Sequence, residues 1–429
     1  MWDSQSENVR FNALHHLDAS NSFQGGVPVA VADVARHFQS NSLLKAPFGI
    51  KTVTVGVSAT TGDRIVADNP VSPTAGVLTS VTIGELVNAT VRAGSIGTLK
   101  VTGNTPLGLL GSITTSTVAA GVSGPQSIGT LTVAGDIVGS VFDAPAAVTT
   151  ISVGGRVTTS SSGTRIQAAY NTGAKLGSRT AGAWGQAGIA LTTDLVTRAV
   201  GTFALKGNAA RRFVGTTDLG FIDVLGNSAG VGLGKFTGSG TSTNSLFRVS
   251  DGDVGSFTVL RFVSSDLLVG FRPVTGSDLT LAPAAANWAA TNHKIGAFAT
   301  TAAFDSADPD ASASFADSIA VAAVLGTVTI SGLDPADPTA RTFGVAFRTG
   351  AGAGAKGTVK KGGVTLAVGA VDGQFNYLGL PGRNRLEGIG VARDRPDLSA
   401  MPRSRRRLRV QVAPHPRGVH QADRRQDPG

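Results

Sequence analysis

The chain has 429 residues, of which 57 are Gly, 18 Pro and none Cys; 41% are hydrophobic, 15% charged and 6% aromatic, and the formal net charge is +9. Charged residues fall well below the roughly 25% of ordinary soluble domains and Gly well above its usual ~7%, which argues against coiled coils, helical bundles and charge-rich disorder. Gly has no strict three-residue period, so the chain is not collagen, and the absence of Cys excludes disulfides, Cys-ligated zinc and a thiol nucleophile.

Residues 1–75 open without a basic, apolar leader: Met1-Trp2-Asp3-Ser4 carries no positive charge, and no apolar run of roughly 7–15 residues follows in the first thirty. The expectation is either a cytoplasmic protein or an internal piece of a longer exported chain. No apolar stretch of about 18 residues suits a membrane helix. This region holds His15, His16 and His37 and a mixed stretch at Val29–Phe38 read as a helix. It is expected to cap the unit that follows, because an open stack of strands exposes edges and apolar side chains.

Residues 76–265 carry a repeat. Ser95-Ile96-Gly97-Thr98-Leu99-Lys100-Val101-Thr102-Gly103-Asn104 returns as Ser127-Ile128-Gly129-Thr130-Leu131-Thr132-Val133-Ala134-Gly135-Asp136, identical at seven of ten positions. Degenerate copies follow at Thr150–Gly155, Gly201–Asn208 and Gly220–Asn227, and weaker ones at 84–86, 111–113 and 255–259. Leu99 and Val101 are two apart, so they share one side of an extended strand while Thr98 and Lys100 share the other. The closing Gly-Asn or Gly-Asp supplies residues that tolerate positive φ, which predicts a sharp turn after each strand.

Copies start at 84, 97, 111, 129, 149, 201 and 220. A unit this short cannot enclose a core, so neighbours must stack to bury Val, Ile, Leu and Phe. The predicted fold is all-β: a parallel β-helix, or β-solenoid, with an N-terminal cap and a disordered C-terminal tail. Ten to fifteen rungs at ~4.8 Å would make a rod on the order of 50–70 Å. The gap from 149 to 201, with Ser160–Gly163 and Trp184, reads as a looped-out insertion or as poorly matching rungs. The alternative is one or more β-sandwiches, but sandwich strands have distinct partners and no reason to repeat.

Residues 266–382 form a degenerate β-solenoid or β-rich region, with strand-like runs at 319–330, 342–349, 363–368 and 374–380 around an acidic loop at 305–317. From Arg383 to Gly429 there are twelve Arg, no Lys and five acids, leaving 25 basic and 23 acidic residues in the first 382. The basicity belongs to this Arg/Pro-rich tail, which has no aromatic residue and too little apolar content to bury a core. An arm for nucleic acid would need salt-dependent phosphate contacts. Without aromatic stacking residues the tail reads instead as an incidental or frame-shifted extension, and no specific nucleic-acid binding is expected.

The Ile-Gly-Thr-Leu-x-Val-x-Gly-Asn/Asp units resemble the Gly/Thr/Val-rich rungs of bacterial secreted and cell-surface right-handed parallel β-helix repeat proteins, adhesin-like or similar to autotransporter passengers. The resemblance covers residues 80–260 well and 260–382 loosely. It implies an exported, elongated structural or adhesive role and carries over no catalytic residues.

Individual motifs add little chemistry. Gly226-Asn227-Ser228-Ala229-Gly230 matches the nucleophile elbow, but Gly-rich text follows where a helix is required. Gly352–Gly357 matches Gly-x-Gly-x-x-Gly, yet Thr358–Gly362 reads as strand and turn, giving a hairpin rather than a dinucleotide site. Asp251, Asp253, Asp305, Asp308 and Asp310 are candidate calcium ligands on loops; neither group has EF-hand or β-roll spacing, and solvated acidic turns are the simpler reading. No other cofactor is expected. Lys100, Arg156, Lys206, Asp223 and Lys235 take outward or turn positions and His293 an exposed loop, and no acidic cluster recurs at rung spacing. The expected function is a non-enzymatic extracellular or cell-surface structural and adhesive protein contacting glycans or other surface proteins; the alternative is a polysaccharide-binding or polysaccharide-degrading β-helix enzyme.

Overall fold

The computed structural model describes residues 43–46, 48–67, 76–122, 126–185, 191–226, 230–270, 293–303, 314–316 and 318–333, together with the backbone of short strands before residue 35 and between 344 and 377. The chain divides into Met1–Asp394, which holds all the described strands, and Arg395–Gly429. The Arg-rich tail from 383 lies outside the described residues.

Two large sheets of 23 and 14 strands, parallel along almost their whole extent, make up the first unit. Each turn of chain contributes a long strand to one ladder, a short strand to a second ladder of the same sheet, and a third strand to the other sheet. Ser95–Val101, Ile113–Thr114 and Thr117–Ala120 form one such rung, and Gln126–Val133, Ile137–Val138 and Val141–Ala144 the next. The fold is therefore a three-sided parallel β-helix. A sandwich of facing antiparallel sheets is incompatible with this pairing.

Register confirms the stacking of the repeat. Ile96 pairs with Leu78 on one side and Ile128 on the other, and the column continues through Val148, Leu176, Val200, Leu233, Val254, Ile295 and Leu325. At ~4.8 Å per rung this column, extended back to Ile50, runs about 48 Å. A second inward column changes chemistry along the coil. It is aliphatic at Val53, Val81, Leu99, Leu131 and Ile151, then aromatic at Phe203, Phe236, Phe257 and Phe298. The rings of Phe236 and Phe257 stack at 4.5 Å, and those of Phe257 and Phe298 at 5.7 Å. Arg179 occupies the changeover between Ile151 and Phe203.

Several expectations need correction. The stretch read as a helix at Val29–Phe38 contains the strand Val29–Val34, paired in parallel with residues 50–55. The coil also begins before residue 76, since Ile50–Ala59 and Arg64–Ala67 form a full rung beneath Val77–Val87 and Thr90–Ala93. The 149–201 gap holds two poorly matching rungs rather than an insertion. Val148, Leu176 and Val200 stack there directly, and Trp184 is buried inside. The unit Leu176-Gly177-Ser178-Arg179 is a copy of Ile-Gly-Thr-Leu disguised by Arg in the Leu position. Not all copies lie in one ladder either: Gly220–Val224 is a third-ladder strand, and residues 113–114 belong to the second.

The repeated Gly serves the stack more than the turn. A Cβ on Gly129 would meet Gly97 O at 2.4 Å; on Gly201, Gly177 O at 2.3 Å; on Gly255, Gly234 O at 2.3 Å; and on Gly326, Gly296 O at 2.1 Å. A glycine column therefore runs up most of the first ladder, where successive backbones approach closely, while Lys51, Thr79 and Thr149 take the same position on their own rungs with their side chains exposed. Left-handed residues instead mark the corner between the second and third ladders: Asn88, Thr115, Gly139, Leu219, Asn244 and Ser264. A Ser follows several of them. Ser116, Ser140, Ser245 and Ser265 each donate their hydroxyl to the carbonyl two residues back and accept a backbone N–H from the rung below. The turn's polar groups are thus satisfied inside the coil. At the ends of the unit, antiparallel strands cover the parallel edges: Val9–Phe11 pairs with Val29–Val34, and Val364–Leu366 with Lys356–Lys361.

Candidate functional site

Alternation along the first ladder puts hydroxyls on its outer face. One outward column reads Thr52, Ser80, Thr98, Thr130, Thr150, Ser178, Thr202, Lys235, Ser256, Ala297, Thr327. Its neighbour reads Thr54, Thr82, Lys100, Thr132, Ser152, Thr180, Ala204, Thr237, Thr258, Ala299, Thr329. Within a column the groups repeat at ~4.8 Å, and the two columns stand about 6.7 Å apart. Each Thr except Thr237, whose Oγ1 is buried, offers a methyl and a hydroxyl, and Ser178 Oγ donates to Thr150 Oγ1 across 3.3 Å. Among the residues named, only Lys100 and Lys235 are charged; the register continues the columns to Asp33 at one end and Lys356 at the other. The face is long, small-featured and nearly neutral.

The corner between the first and second ladders carries two loops with one design. In each, Gly-Asn opens a hairpin: Asn104 bridges Leu109, and Asn208 bridges Phe213. Gly103 and Gly207 take φ of +75° and +70° as expected, but they launch a loop rather than a tight turn. Both loops fold back over earlier rungs. Asn208 Nδ2 donates to Gly154 O at 2.9 Å, and Arg211 forms a two-pronged ion pair with Asp136, both contacts 2.6 Å. Arg156 and Arg211 lie 4.7 and 5.7 Å from the Phe213 ring. Gly155 and Gly182 make room, since a Cβ on either would strike Arg211 or Phe213. This latch joins residues 75 apart in sequence. The signal for it was present as the matching frames Gly103-Asn104…Gly111 and Gly207-Asn208…Gly215. Leu107, Leu110 and Val214 on these loops remain exposed.

The acidic candidates are drawn into internal pairs. Asp251 Oδ1 lies 3.0 Å from His293 Nε2, Asp253 Oδ1 lies 3.7 Å from His293 Nδ1, and the Lys294 N–H donates to Asp253 at 3.0 Å. His293 is therefore not an exposed loop residue. It is buried against Gly252 and Gly270, fastening residues 251–253 to the next rung just ahead of the strand Lys294–Thr300. Among the described residues no group of three or more His, Asp or Glu is placed to hold a metal ion. Asp305, Asp308 and Asp310 lie outside the described residues, as do Ser228 of the elbow motif and residues 352–355; Lys356–Lys361 is a strand in a hairpin. Asp223, expected outside, is fully buried and forms a two-pronged pair with Arg248, which also covers Phe221. The Tyr170 hydroxyl donates to Asp143 at 2.8 Å; burial first, and this carboxylate second, push its phenol up to about 12.

Searches of protein-family models, of curated proteins and of solved structures find no match to this chain. No helix among the described residues is long and apolar enough to cross a membrane.

Proposed function

We propose that the chain is a non-enzymatic structural and adhesive coil of the cell surface or extracellular space, its first-ladder face making many weak contacts to glycans or other surface proteins. The observation that carries this reading is the pair of outward Thr/Ser columns, aligned rung after rung for about 48 Å. Hydroxyls at fixed spacing exchange hydrogen bonds with sugar hydroxyls or peptide groups at modest net gain each, so affinity must come from number. A rigid coil supplies that number without the ordering cost of a flexible chain.

The test is binding of the immobilised full chain to a panel of surface polysaccharides and surface-protein extracts, against variants carrying Thr→Glu at Thr130, Thr150 and Thr202. Stepwise loss of retention as one, two and three charges are added supports the proposal. Undiminished retention in the triple variant, or retention of no panel member by the unmodified chain, overturns it.

A further inference from the structure

We propose that the interior of the coil beside Arg179 is a binding site for one small monovalent anion, chloride or another halide, enclosed as the chain folds. Arg179 stands in the Leu position of the repeat, pointing inward between Ile151 and Phe203, with 0% of its surface exposed. Its Nε, Nη1 and Nη2 all lack a hydrogen-bond partner. The guanidinium lies 4.3 Å over the Trp184 ring and 5.7 Å from that of Phe203. Burial pushes it down to about 9, which still leaves it cationic at neutral pH. Aromatic faces compensate only part of the desolvation of a buried cation.

What else is unsatisfied nearby decides the ligand's sign. Thr193 Oγ1, two residues before the core residue Leu195 and therefore on the same inner side of its strand, is also buried without a hydrogen-bond partner. Trp184 Nε1 donates to Thr193 O at 2.9 Å, tying the indole beneath the guanidinium to the strand that bears Thr193. The adjoining carboxylate, Asp194, alternates to the outer side of that strand, while Leu195 joins the core. On the inner side the unmet groups are thus the guanidinium N–H groups, which cannot accept, and the Thr193 hydroxyl, which can give a proton. A water molecule would bring two further hydrogens in need of acceptors, whereas an anion brings none and balances the charge. Ala181, opposite Leu205 of the next rung, keeps the neighbouring inward position small.

The experiment refolds the full chain from denaturant into sodium gluconate, chloride or bromide at equal ionic strength. It measures the folding equilibrium for the unmodified protein and for Arg179→Met, and crystallises the protein refolded in bromide. The expected result is a folding constant for the unmodified chain that rises up to tenfold for each tenfold rise in halide, with Arg179→Met indifferent to halide. Anomalous density for bromide is expected within hydrogen-bond reach of the guanidinium. Halide-independent folding of the unmodified chain, or halide dependence surviving in Arg179→Met, overturns the proposal. Should the variant not fold, absence of bromide density beside Arg179 in the unmodified protein overturns it alone.

Discussion

Adding a single methyl group to the glycine column should be more damaging than adding one to most glycines. In Gly255→Ala the new Cβ would stand 2.3 Å from Gly234 O, against a practical floor of 3.0 Å. The rungs would have to part by several tenths of an ångström where hydrogen bonds on both sides fix their spacing. Overpacking of this kind costs about 1–3 kcal/mol. The lower entropy of the unfolded alanine chain offsets about 0.4–1 kcal/mol of that, leaving a net loss between about 0 and 2.6 kcal/mol, centred on about 1 kcal/mol. Two controls separate the causes. Gly173 has open space around it but φ +78°, so Gly173→Ala should lose about 1 kcal/mol through backbone strain alone. Gly230 has open space and no left-handed φ, so Gly230→Ala should be neutral or gain up to about 1 kcal/mol. Denaturant titration of the full chain, followed by circular dichroism, measures all three. Gly255→Ala as stable as Gly230→Ala would refute the close approach of backbones as the reason for the repeated Gly.

Other consequences follow from the core, the latch and the one strongly shifted phenol. Phe257→Ala should lose about 3–5 kcal/mol by opening a cavity between Phe236 and Phe298; Phe257→Leu, which restores the aliphatic chemistry of Leu99 and Leu131, should lose less than about 1.5 kcal/mol by the same titration. Arg211→Ala should cost at most about 1 kcal/mol, because the pair with Asp136 is part-exposed. Limited trypsin digestion should nonetheless cut faster at Arg212 once the latch is released, and high salt should mimic the variant. The raised phenol of Tyr170 means that the folded chain holds its proton more tightly than the unfolded one. Its contribution is therefore complete below pH ~10 and lost as pH rises towards about 12. Tyr170→Phe should abolish that part of the alkaline stability loss in pH-dependent denaturation; an unchanged profile would contradict the Asp143 contact.

The inward residues were legible because alternation in Leu99-Lys100-Val101 admits one reading once its near copy 32 residues later must stack on it. Gly97 and Gly129 were harder. Local chemistry offers turn formation as the reason for Gly, whereas the deciding contact is with a carbonyl one rung away, which no local pattern reveals. The rung at 176–197 disappeared from view because Arg179 replaces an apolar residue, and periodicity searches weigh chemistry rather than position. Asp223 and His293 were placed on the surface by their type; their burial depends on Arg248, Asp251 and Asp253, partners 25 to 42 residues away. The serine corner combines a left-handed residue with a following hydroxyl. That signal was present at Asn244-Ser245 and Thr115-Ser116, but it was masked by the general abundance of Ser and Thr.

The parallel stack itself is tested most directly by distances between spin labels on one outward column. The chain has no Cys, so introduced pairs label uniquely. From Thr98, the residues Thr202, Ser256 and Thr327 lie four, six and eight rungs up. Pulsed dipolar spectroscopy should give separations of about 19, 29 and 38 Å, rising linearly with rung number. Separations that fail to grow in that order, or that cluster near one value as across two packed sheets, would contradict the coil.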